Sequence, residues 1–220
     1  MARHGPIELM RAKPLINLAR CLLLVWAIGL VVPTATAAES PSATLSGPAL
    51  LAALRAGGLI LYFRHASTDF GQNDEQMTDY ENCASQRNLT DRGRSEAKAI
   101  GDTIKRLAIP VGEVLASPFC RTMETARLIF GRATASTAVR GGPAQPESAE
   151  RYAALRKLLS TAPPAGVDLV IVSHGNPFVA VFGPPYLAEG EAAVIRPLAG
   201  GGFVVVGRIP KDGWAALAVP

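Results

Sequence analysis

Two apolar runs dominate the pattern of the chain, each closing on a histidine: Gly58-Leu59-Ile60-Leu61-Tyr62-Phe63-Arg64-His65 and Val167-Asp168-Leu169-Val170-Ile171-Val172-Ser173-His174. Runs of this length without polar alternation predict strands buried on both faces. In open parallel sheets, ligands gather outside the carboxyl ends of the strands. His65 and His174 are therefore expected at one sheet edge.

Between and around these strands the pattern changes to helical spacing. Leu50, Leu51 and Leu54 predict a short helix stopped by Gly57-Gly58. Thr90 is placed to cap a helix over 91–107, with Ala97, Ile100, Ile104 and Leu107 on one face and Pro110 just beyond. Residues 111–116 form another short apolar stretch. A helix follows, with Pro118 expected in its first turn and Gly131 after its end. A weak strand is expected over 134–139, a loop over 141–146 and a helix over 148–160. Gly175-Asn176-Pro177 opens a helix towards Phe182, and 192–198 and 202–209 read as an antiparallel pair turning at Gly200-Gly201. Strands alternating with helices predict a three-layer α/β/α fold with a mainly parallel central sheet. The stretch from Ala66 to Asn88 is polar and aperiodic, with Asp69, Asp74, Glu75, Asp79 and Glu81. A loop of that length is either a substrate entrance or a solvated insertion.

The N-terminal segment departs from this pattern. Arg11, Lys13 and Arg20 precede the unbroken apolar run from Cys21 to Val32, which is followed by Ala35-Thr36-Ala37. Basic flank, short apolar run and small residues at A-x-A spacing predict a secretory signal peptide over 1–37; an uncleaved anchor is the alternative. Residues 38–47 read as a flexible leader and 48–220 as a single catalytic domain. Cleavage after Ala37 would remove four basic residues and one acidic residue, lowering the formal charge from +4 to +1. No clustered basic face remains for nucleic acid, and a membrane is met only through the transient signal peptide. Cys83 and Cys120 survive cleavage as a disulfide or as buried free thiols. Of three histidines only His65 and His174 remain.

Phe63-Arg64-His65-Ala66, Ser117-Pro118-Phe119-Cys120-Arg121-Thr122-Met123-Glu124-Thr125-Ala126 and Ser173-His174-Gly175-Asn176, with Leu89-Thr90-Asp91-Arg92-Gly93 between the first two, resemble the signatures of the histidine phosphatase superfamily, which includes the phosphoglycerate mutases. The likeness spans about 58–208 in the family's order. It departs at Ala66, where the family typically has glycine. The resemblance implies a phosphoglycerate mutase-like fold and a phosphatase of the exported bacterial type. Catalysis would run through a phosphohistidine at His65, without a metal or other cofactor, on a phosphorylated small molecule.

The chemistry asks for the same residue types. A neutral imidazole can accept a phosphoryl group and release it to water. Adjacent guanidinium charge keeps the imidazole unprotonated, and Arg64 and Arg121 supply it. They also bind phosphoryl oxygens, joined by His174 and by backbone amides at Gly175 and Asn176. For the general acid the candidates are Glu191, just before a predicted strand, and Glu150; some relatives have no obvious acid. A catalytically weak or inactive phosphate-binding protein of the same fold is the alternative function. Two histidines without a cysteine or carboxylate at ligand spacing make a poor metal site.

Overall fold

Every residue from Leu59 to Phe63 is buried in the computed structural model, which describes residues 44–141 and 149–219. The run forms β1 (Ile60–Arg64), and the second run forms β4 (Asp168–Ser173), fully buried along its length. The two pair in parallel, Ile60 opposite Leu169 and Arg64 opposite Ser173, so both end at the same edge. The other elements are α1 (Gly47–Ala56), α2 (Asp91–Arg106), β2 (Val111–Ala116), α3 (Cys120–Phe130), β3 (Thr134–Ala135), α4 (Ala153–Leu159), α5 (Gly175–Phe182), β5 (Ala192–Pro197) and β6 (Phe203–Ile209). The sheet order is β3-β2-β4-β1-β5-β6, with the first four strands parallel and β5 and β6 an antiparallel hairpin added beside β1.

Successive strand residues face opposite sides. Leu61 and Phe63 join the core formed with α1, α2 and α3 through Leu54, Ile100 and Ile129, whereas Ile60 and Tyr62 join the core under α4 and α5 with Leu155 and Phe178. This is the expected three-layer arrangement. Thr90 caps α2 as expected, its Oγ1 accepting from the Gly93 N–H at 2.9 Å. Gly93 also permits the close approach of α2 to the segment after β1, because a Cβ there would collide with the carbonyl of Ser67.

Several boundaries differ from expectation. Helix α3 starts at Cys120, two residues after Pro118, where the Thr122 hydroxyl, 2.7 Å from the carbonyls of both Ser117 and Phe119 and able to donate to one at a time, closes a turn. The strand expected over 134–139 ends at Ala135, and Thr137–Val139 is a single 3-10 turn. The helix expected over 148–160 is a 3-10 turn, Ala149–Tyr152, followed by α4. The expected leader is already anchored at Leu45, which is buried and whose N–H donates to the Val206 carbonyl. The signal peptide, the rest of the leader and most of the loop expected over 141–146 lie outside the described residues.

Candidate active site

At the carboxyl edge the two strand ends are tied directly together. The His65 N–H donates to the Ser173 carbonyl at 3.0 Å, and the Arg64 N–H donates to the carbonyl of Glu191, just ahead of β5, at 3.0 Å. His174 follows β4 as the N-cap of α5, with its carbonyl held by the Tyr62 hydroxyl at 2.9 Å. The imidazoles of His65 and His174 meet edge-on, ring centres 5.4 Å apart. Behind His174 lies Gly141, where any Cβ would strike the ring. The expected meeting of the two histidines is thus a consequence of strand register.

The hydrogen bonds assign the tautomer of His65. Its Nδ1 lies 2.9 Å from the carbonyl of Ala66, which can only accept, so Nδ1 carries the proton and Nε2 keeps its lone pair. The Ala66 N–H in turn donates to Thr125 Oγ1 of α3 at 3.1 Å. The alanine methyl is fully buried, so the departure from the family's glycine is accommodated within the core. His174 Nε2 lies 2.9 Å from the Ser117 hydroxyl.

A cavity of about 400 Å³ opens over these rings, and Arg64, Arg87 and Arg121 all line it together with Asp74 and Asn176. Each of the three arginines has a buried Nε–H without a hydrogen-bond partner among the described residues. Buried donors normally find acceptors, so three orphans around one cavity mark a place for an anion. The remaining guanidinium contacts fix their geometry. Arg64 donates to the Leu187 carbonyl at 2.9 Å and lies 3.5 Å from Glu189. Arg121 lies over the Phe119 ring and donates from Nη1 and Nη2 to the two oxygens of Asp74 at 2.9 and 3.0 Å. Arg87 lies over the ring of Phe70.

Burial is the main force on the histidines. It pushes His65 well below the usual histidine range, with Arg121, Arg64 and Arg87 adding like-charge repulsion against the backbone hydrogen bond. His174 is lowered likewise, by burial first and then by His65 and the same arginines. Both rings are therefore neutral near pH 7, and the 3.9 Å approach of Glu189 to His65 Nδ1 is not an ion pair.

Of the residues singled out from the sequence, Arg64, His65, Arg121, His174, Gly175 and Asn176 meet around the cavity. Glu191 does not. Its carboxylate is engaged by Arg208 at 2.7 and 3.1 Å and by the Ala188 N–H, and it stands outside the cavity lining. The reason is local: Gly190, at φ +81°, breaks the alternation before β5 and turns the two neighbouring carboxylates different ways. Glu189 takes the catalytic side, accepting from the Thr68 hydroxyl at 2.7 Å and the Thr68 N–H at 3.2 Å. Glu150 does not line the cavity either. Sequence reasoning missed Arg87, Asp74 and Glu189. The first two lie in the aperiodic loop, whose only cue was its length, and that loop does form one wall of the site.

The disulfide left open by the sequence is formed between Cys83 and Cys120. It joins that loop to the residue immediately before Arg121. Gln86, two residues from Asn88, adds an acceptor for the Cys120 N–H at 2.9 Å. Among the described residues no group of three or more His, Cys, Asp or Glu side chains is placed to hold a metal ion.

The sequence profile of the histidine phosphatase superfamily (branch 1) matches residues 60–142, a span that includes Arg64, His65, Arg87 and Arg121. Over that span the chain is similar to the histidine phosphatase superfamily. No curated protein matches it in sequence. Among solved structures it is similar to a variant phosphoserine phosphatase from Entamoeba histolytica in complex with phosphoserine, at 13% identity and a TM-score of 0.50, covering 70% of this chain and 98% of that one. It is also similar to the protein histidine phosphatase SixA complexed with tungstate (17%, TM-score 0.48, 70% and 97% covered) and to YhfR of Bacillus stearothermophilus (16%, 0.46, 67% and 94%). At these identities the likeness is one of fold.

Proposed function

We propose that this protein is an exported phosphatase that hydrolyses phosphomonoesters of small molecules through a phosphohistidine at His65, without a metal ion. The observation that carries the reading is the fixed tautomer of His65, whose Nδ1–H is spent on the Ala66 carbonyl beneath a cavity ringed by three arginines with unused donors. Nε2 attacks phosphorus while the ester oxygen departs, and water then takes the phosphoryl group from the imidazole. Arg64, Arg87 and Arg121 hold the non-bridging oxygens through the transfer, where fixed charge in a shielded pocket is most effective. A phosphoryl dianion among these cations offsets their repulsion at His174 and favours the protonated ring, a further donor. Amides at the start of α5, at Gly175 and Asn176, complete the cradle.

A protein that only binds phosphate would use the same arginines but has no need of a neutral imidazole in one tautomer, which favours turnover. Export rests on the signal-peptide pattern of residues 1–37 and is supported by the Cys83–Cys120 disulfide, since such bonds persist in oxidising compartments. The test is hydrolysis of 4-nitrophenyl phosphate in the presence of a chelator by the wild type and by His65→Ala, with quenched mixtures assayed for acid-labile phosphoprotein. Turnover that survives chelation, with both turnover and phosphoprotein absent from the variant by at least about 1000-fold, is expected. Activity that needs a metal, or that persists in His65→Ala, would sink the mechanism.

A further inference from the structure

The mechanism above leaves the departing alkoxide without a proton, and neither glutamate singled out from the sequence reaches the cavity. We infer that Asp74 is the acid that protonates the leaving group and the base that then activates water, an assignment that rests on the phosphatase reading of this site. Asp74 is the one carboxylate among the described residues that line the cavity. Its oxygens bridge Nη1 and Nη2 of Arg121, and Oδ1 also accepts from the Arg87 N–H at 2.9 Å. The carboxylate therefore stands one guanidinium width from the orphan Nε–H of Arg121, the donor left for a phosphoryl oxygen. Its side chain is 30% exposed, so protons can reach it.

Direction supports the same assignment. His65, 1% exposed, is the floor of the cavity, whereas Gln72 and Asn73 are exposed at its rim. In-line attack by Nε2 drives the leaving oxygen from floor to rim, and Asp74 adjoins those rim residues. Glu189 is on the other side of the His65 ring, at Nδ1, and outside the cavity lining.

The proton balance closes without an outside reagent. A phosphomonoester has a second ionisation near pH 6, so a share binds as the monoanion at neutral pH. As its phosphoryl oxygens take the arginine donors, the P–OH proton passes to the Asp74 carboxylate. That proton moves to the ester oxygen as the P–O bond breaks and the Nε2–P bond forms, and the alcohol leaves neutral. Asp74 then removes a proton from water as the water oxygen bonds to phosphorus and the Nε2–P bond breaks, and it passes that proton to the departing phosphate, which leaves as the monoanion and restores both His65 and Asp74.

A leaving-group series separates this role from mere support of Arg121. The full-length wild type and Asp74→Asn are compared on 4-nitrophenyl phosphate, phenyl phosphate and a simple alkyl phosphate. In the wild type kcat/KM stays nearly level across the series, because the leaving oxygen departs protonated. In the variant the loss on the alkyl ester exceeds that on the nitrophenyl ester by about 100-fold, the usual scale of general acid catalysis. Equal losses on all three would reduce Asp74 to a positioning residue and overturn the inference while leaving the phosphatase reading intact. A steep dependence in the wild type alone would overturn it without any variant. A wild type inert on every ester would remove both.

Discussion

Strand β4 carries a buried ionisable group at each end, and the two ends do different things. At its start Asp168 is fully buried; Oδ1 accepts the Leu59 N–H at 2.9 Å, and Oδ2 has no partner among the described residues. Burial pushes its pKa up to about 7 against that single hydrogen bond. At its finish His174 is driven down by burial, beside His65. Burial favours the neutral form at both ends. What separates them is the company: three guanidinium groups with unused donors converge at the histidine end, whereas the small cavity beside Asp168 is lined by Leu158, Pro163, Pro164 and Leu169 and no cation. A perturbed group marks a site only where other donors converge on it.

The disulfide is the largest lever on this difference, since it staples the arginine end and has no counterpart at the other. Cys83 and Cys120 are 37 residues apart, and a loop of that length is worth about 4 kcal/mol in the chain-entropy account. The double variant Cys83→Ser/Cys120→Ser should lose stability on that scale in urea unfolding. It should also lose activity, because Cys120 adjoins Arg121 and the loop carries Asp74 and Arg87. A variant as stable and active as the wild type would show that the loop is held by its hydrogen bonds alone.

Next in size is Arg87→Ala, which removes one of the convergent donors. Loss of one such donor typically costs about 3 kcal/mol in the transition state, or roughly 100-fold in kcat/KM. The pH profile tests the electrostatics separately. The nucleophile must be neutral, so activity falls as pH drops through the pKa of His65, which lies below the ordinary 6.5. Removing a neighbouring positive charge raises that pKa, so the acidic limb should move upward in the variant and return part of the way in Arg87→Lys. An unmoved limb would mean that burial alone sets His65.

The two strand ends were also unequally legible in the sequence. Apolar runs ending in histidine gave the strands, their shared edge and the meeting of His65 with His174, because buried strands are written in contiguous residues. The cap at Thr90 was legible for the same local reason. Asp74 and Arg87 were not, since they sit in a loop without period and reach the site only through long-range contacts to Arg121. Glu191 and Glu150 are the acids the sequence offers, and neither reaches the cavity; Gly190 is visible between Glu189 and Glu191, but its positive φ, which turns the two carboxylates apart, is not. Asp168 at the foot of β4 has no sequence signal of its own, because its raised pKa comes from burial in the packed sheet.

The smallest effect belongs to that buried carboxylate, and it carries the opposite sign to the histidines. Asp168 is raised from 3.8 to about 7, so its contribution to stability is full below about pH 4 and is lost as pH rises through 7. His65 and His174 are lowered, so theirs is present above the unfolded value of 6.5 and lost as pH falls. Asp168→Asn removes only the first of these slopes. Relative to the wild type, the variant should gain roughly 2–3 kcal/mol between pH 5 and pH 8, several degrees in the unfolding midpoint. Its kcat/KM should stay level, because Asp168 lies at the end of β4 remote from the cavity. If wild type and variant keep the same pH dependence of stability, Asp168 is ionised in the folded protein, and the two ends of the strand differ in the charge state of their buried groups as well as in their neighbours.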